Sequence, residues 1–172
     1  MRQDRFADRT IPDSGFSGDD GSVDPRVSAA LAAYEAGEAG HRETLAVLAD
    51  ARWLVPVVAL LGEVELDERG LAHDKSSDMA TVLVTGRDGR QALLAFTGTA
   101  SLTRWRADAR PVPVEASLAA RSAVQDGAAA IVLDLAGPVR FVVSGDDLEA
   151  LARGWRLGRV GDGLAWIGAP AE

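Results

Sequence analysis

Hydrophobic and polar positions change period several times along this chain, and each change marks an element. The clearest succession runs over residues 79–106. Met79, Ala80, Val82, Leu83 and Val84, interleaved with Thr81 and Thr85, suit a half-buried strand. Gly86, Arg87, Asp88 and Gly89 then supply a turn, because Asp-Gly admits the positive φ that tight hairpins need. The return segment, 91–97, is apolar almost throughout, which predicts a strand buried on both faces and central in its sheet. Thr97-Gly98-Thr99 leads directly into a helix, with Thr99 as N-cap and Leu102 and Trp105 on one face. A strand feeding a helix in this way predicts a crossover.

Before this stretch, residues 1–23 show no period able to bury a face and predict a mobile arm anchored only by Ile11 and Phe16. Asp24-Pro25 is a helix start, and Val27, Leu31 and Tyr34 recur on one side as far as Gly37. A second helix is predicted over 42–51, with Leu45, Leu48 and Ala49 inward. Residues 53–61 read as a strand, but Pro56 cannot donate to a ladder and so places it at an edge or at a bulge. The acidic stretch 62–78 continues the strand and becomes a loop.

Downstream, 111–114 predicts a small proline-flanked strand, and 115–126 a helix with Leu118 and Val124 inward and Gly127 as its stop. Residues 129–135 form a buried strand, and after a turn at 136–138 the chain returns over 139–143 as its hairpin partner. Ser144 opens a capped helix through Leu148, Leu151 and Ala152 that Gly154 ends. Residues 155–167 suit a small hairpin around Gly161-Asp162-Gly163. The order predicts a mixed α+β fold, a single domain with a mixed sheet of about five or six strands flanked by helices. Its expected divisions are an arm at 1–23, a domain at 24–154 and a hairpin or tail at 155–172.

Composition narrows the class. At 172 residues and 47% apolar the chain fills a real core, so disorder throughout is excluded. A net charge of −8 argues against broad nucleic-acid binding or adhesion to an anionic membrane, both of which need clustered positive surface. Cysteine is absent, which removes disulfides, thiol nucleophiles and Cys-ligated zinc. The first ten residues alternate charges without an apolar core region, and the longest apolar run, 53–61, is too short to span a bilayer, so a cytoplasmic protein is expected. No cofactor is expected.

The segments LVPVVALLGEVE, KSSDMA, ALLAFTGTASLTRW, ARPVPV and VLDLAGPVRF, preceded by IPDSGFSGDDGSVDPR, occur in an order that resembles the actinobacterial branch of the SseB family, with its SseB-type N-terminal domain. The similarity covers 13–154. It implies a small mixed α/β domain with no established reaction, and so no catalytic residues to carry over. Gly98 stands where relatives more usually have serine after the Phe-Thr pair.

The sharpest candidate site is Thr97-Gly98-Thr99. A backbone leaving a central strand and entering a helix N-terminus offers N–H groups to an anion or small ligand, and Lys75 or Arg104 adds a cation. Asp78, in the loop Ser76-Ser77-Asp78, joins this set. The structural alternative is a plain cap and turn. Glu63, Glu65, Asp67 and Glu68, near His73 and Asp74, offer oxygen ligands to a hard cation, yet their alternation and the lack of calcium-loop spacing favour a solvated face, so no metal site is expected. Asp134 is either catalytic or bonded to the turn backbone that follows it. His41 and His73 read as surface residues. Trp53 and Trp105 fit the core, whereas Trp155 and Trp166 offer an interaction surface in the terminal hairpin. The leading expectation is a non-enzymatic interaction or regulatory module with an unknown protein partner or with itself. The rival is a small-ligand or anion-binding domain, enzymatic or not, built on the 97–99 turn.

Overall fold

The computed structural model describes residues 15–59 and 79–168. Helix α1 (Pro25–Glu35) begins as its sequence predicts: the Asp24 carboxylate caps it by accepting from the Arg26 N–H, and Val27 and Leu31 are buried. Helix α2 (His41–Ala49) buries Leu45 and Leu48, and the indole N–H of Trp53 donates to the Leu48 carbonyl at 2.9 Å, fastening the helix end to the strand that follows.

That strand, β1 (Arg52–Ala59), lies in the middle of a three-stranded antiparallel sheet, between β2 (Met79–Thr81) and β5 (Arg110–Glu115). The strand is therefore neither at an edge nor bulged at Pro56, since its pairing with β5 runs unbroken from Arg52 to Val57, and register explains how Pro56 is tolerated. The Leu54 N–H donates to the Phe96 carbonyl at 2.8 Å, so backbone groups of this parity on β1 point away from β5. Pro56 shares that parity. Leu54 stands opposite Pro113 and Pro56 opposite Pro111, and in an antiparallel ladder opposed residues point both inward or both outward. All three prolines thus occupy positions where no ladder N–H is required. On the other side, β2 meets β1 only from Val57 onward.

The second sheet has the order β3 (Leu83–Thr85), β4 (Gln91–Ala95), β6 (Ala130–Leu133), β7 (Phe141–Ser144). Strands β4 and β6 run parallel, while β3 and β7 pair antiparallel to them. Between β4 and β6 the chain passes through α3 (Thr99–Trp105), β5 and α4 (Ala116–Gln125), which is the expected crossover. A bridge between Leu54 and Phe96 joins the two sheets. The mixed α+β class is as expected, with two departures in detail. The strands divide between sheets, and the strand expected over 79–85 breaks at Val82, with β2 pairing to β1 and β3 to β4.

Strand β4 is buried on both faces, as its continuous apolar run predicts. Leu93 and Ala95 face the main core with Ile131, Leu133, Phe141 and Val143, under α1, α2, α4 and α5 (Gly145–Ala152). Leu94 and Phe96 face a smaller cluster with Leu54, Leu102 and Ala109. Helix α4 corrects one expectation. Leu118 is 48% exposed and Val124 is also exposed, and the buried stripe is Ala116, Ala119, Ala120 and Ala123. Their i, i+3, i+4, i+7 spacing is a complete helical face, and methyl side chains let the helix approach its neighbours closely. After α5, β8 (Arg156–Val160) and β9 (Gly163–Ile167) form the predicted hairpin.

Candidate functional site

The chain leaves β6 at Asp134, and this residue organises the region beyond the ends of the two parallel strands. Its N–H donates to the Ala95 carbonyl and so prolongs the β4·β6 ladder, but its φ of +52° then turns the chain sharply into the segment leading to β7. Aspartate tolerates this left-handed conformation better than most residues. The turn closes with the Gly137 N–H on the Asp134 carbonyl, where a Cβ on residue 137 would lie 2.8 Å from that of Asp134. The carboxylate is 3% exposed and accepts three hydrogen bonds: from the Thr97 N–H (2.9 Å), the Thr97 hydroxyl (2.6 Å) and the Ser101 hydroxyl (2.5 Å). It therefore ties the end of β6 to the end of β4 and to α3, whereas the following turn is held by the Asp134 backbone.

The 97–99 turn is engaged within the chain. The Thr97 N–H is taken by Asp134, and the Thr99 N–H donates to the Gly21 carbonyl at 2.7 Å. Gly98, in an extended conformation, occupies the N-cap, and Thr99 is the first residue of a seven-residue helix, so the expected cap is displaced by one position.

The carbonyl of Gly21 comes from 15–23, the described part of the predicted arm. This strap lies against the domain and is held by Arg52. The guanidinium pairs with both Asp19 oxygens, donates to the Ser22 carbonyl at 2.7 Å, and reaches the Thr97 carbonyl at 2.6 Å. The hydrogen bond from Arg52 holds the Asp19 carboxyl below its ordinary range, against the opposing effect of partial burial. Close packing requires two glycines. A Cβ at Gly21 would meet the Thr99 hydroxyl at 2.0 Å, and one at Gly98 would lie 3.2 Å from the Val23 nitrogen. A serine at 98 would press directly on the strap.

Strap, α1, α3 and the β6–β7 connection enclose a crevice of about 530 Å3 at the C-terminal ends of β4 and β6. Val23, Leu31, Ala100, Pro138 and Val139 give it apolar walls. Thr97, Gly98, Ser101 and Asp134 line it on the strand side, and Arg104 lies where it opens to solvent. Crevices in this position are a recurrent ligand site of open α/β sheets.

The SseB protein N-terminal domain model matches residues 27–150. The chain belongs to the SseB family. No curated protein and no solved structure matches it. The family match begins inside α1 and ends inside α5, so in this SseB protein the strap and the terminal hairpin lie outside the matched span.

Lys75, Asp78, His73 and the 63–68 carboxylates lie outside the described residues, and among the described residues no group of three potential metal ligands comes together. Trp53 and Trp105 join the two cores as expected. Trp155 and Trp166 are half-buried: Arg153 lies over the ring of Trp155, and the Trp166 indole N–H donates to Asp147 at 2.8 Å. His41 stacks on Phe141 at 4.5 Å and sits 3.8 Å from Asp147. Sequence reading singled out neither Ser101, two residues inside the helix, nor Arg52, a lone cation opening an apolar strand. The local hint of Arg52 is the carboxylate of Asp19, with which it pairs, whereas the neighbouring Asp20 is satisfied by Ser22.

Proposed function

We propose that this SseB-family protein is a binding module that takes a small, largely apolar ligand in the crevice beyond β4 and β6. The observation that carries this reading is the crevice itself: roomy, apolar-walled and fixed by elements from both ends of the domain. Its volume lies within the range of about 300–1,000 Å3 usual for small-molecule sites. Thr97 and Ser101 spend their side chains on Asp134, which supports a role in shaping the wall rather than in attacking a substrate. That favours the ligand-binding expectation over anion capture at the 97–99 turn, where the Thr97 and Thr99 N–H groups already have partners within the chain.

Native mass spectrometry of the protein purified gently from its own host lysate tests this. A retained small molecule, lost when Ala100→Phe fills the crevice, is expected. A stoichiometric protein partner with no adduct would sink the reading. The interaction reading has its own support in the second face of the β3-β4-β6-β7 sheet, where Val142 is 41% exposed and Val84 and Val132 line a shallow groove.

A further inference from the structure

The two charged groups of the crevice are placed unequally. Asp134 is buried, and its oxygens already receive three donors from Thr97 and Ser101. A carboxylate so engaged offers little to a ligand cation, and its charge opposes an anion seated deep in the crevice. Arg104 is the reverse case. It is exposed on α3 and lines the opening, and among the described residues it makes one hydrogen bond, a long one of 3.3 Å from Nη1 to the Ala136 carbonyl. A guanidinium presents five donors in a planar fork that matches a carboxylate, so most of its capacity faces solvent unused. Between these groups the walls are Val23, Leu31, Ala32, Ala100, Pro138 and Val139. Apart from Asp134 and its donors the walls are apolar, and the exposed charged group is cationic.

Resting on the reading of the crevice as a binding site, the geometry points to a small monocarboxylate with an aliphatic body as its ligand. The hydrocarbon lies between α1 and the β6–β7 connection, and the carboxylate stays at the mouth on Arg104. Ser28, exposed on α1, lines the same crevice and supplies a hydroxyl. The ligand is a free small molecule rather than a peptide terminus.

Titration calorimetry of the full chain with octanoate, octanol and octylammonium separates the possibilities, using wild type, Arg104→Gln and Ala100→Phe. Octanoate binds most tightly, Arg104→Gln weakens it about tenfold to hundredfold down to the level of octanol, and octanol is unaffected by that change. Ala100→Phe removes binding of both. Because Arg104 is exposed, its variant stays folded, which circular dichroism verifies. Equal affinity for octanoate and octanol, or preference for octylammonium, overturns the carboxylate assignment while the binding site stands. Absence of binding by all three probes overturns the site as well. A leucine-ended peptide with a free C-terminal carboxylate that outcompetes octanoate also overturns the assignment, in favour of a protein terminus.

Discussion

The helical layer over the main core and the strap at 15–23 are fastened to the same sheets by opposite means. Leu45, Leu48, Ala119, Ala120 and Leu151 hold the helices by burial of apolar surface, which has no preferred direction and responds weakly to pH and salt. The strap is held by Arg52, Asp19 and two backbone contacts, all directional and all within reach of water. The first kind of attachment sets global stability. The second kind is expected to open while the rest of the fold stays closed, and because the strap lines the crevice its release would widen that crevice.

Substitutions along this contrast span a wide range. Leu48→Ala removes a fully buried side chain at the joint between α2 and Trp53, and its expected cost is about 2–5 kcal/mol, read as a cooperative shift in chemical denaturation. Asp134→Ala strands the two Thr97 donors, leaves the Ser101 hydroxyl only the Gly98 carbonyl, and breaks the link between β6, β4 and α3. A loss of about 2–4 kcal/mol is expected, again global, since the group sits between the ends of the two parallel strands.

Arg52→Met tests the other kind of attachment. Global stability should fall by only about 1 kcal/mol, while the Thr99 amide, bonded to Gly21, loses hydrogen-exchange protection and the strap becomes sensitive to protease. A uniform loss of protection across β4 and α2 would show that strap and core form one cooperative unit. Acid should act in the same place. The Asp19 carboxyl titrates lower in the folded chain than its ordinary 3.8, so its contribution is complete above that value and disappears as pH falls through the lowered one. Thr99 protection measured against pH should therefore be flat near neutrality and decline only in strong acid, and Arg52→Met should abolish that decline. At the small end, Leu118→Ser on the exposed side of α4 should change stability by less than about 0.5 kcal/mol. A larger loss would show that Leu118 is packed within the fold after all.

Much of the fold was legible because local rules and tertiary demands agree. Asp24-Pro25, the run at 91–97 and Ser144 all mark real boundaries. Legibility failed where a residue's role depends on what lies opposite. Pro56 reads as an edge signal, yet a central strand admits it because Pro111 and Pro113 share its outward parity. Leu118 outranks alanine on any hydrophobicity scale, yet α4 turns its alanines inward because close approach matters more there than bulk. The candidate site was half legible. Thr97, Gly98 and Asp134 were identified, but their mutual hydrogen bonds and the partnership of Arg52 with Asp19 link residues 37 and 33 positions apart.

The sequence by itself determined the SseB family, the mixed α+β class and most element boundaries, because periodicity, caps and turn residues are local physics written in consecutive positions. Only the tertiary structure decided that the 97–99 turn is closed by Gly21, that Arg52 secures the strap, and that an apolar crevice opens at Arg104. Those features arise from groups brought together across the fold, where satisfying buried hydrogen-bonding groups selects partners that no spacing along the chain reveals.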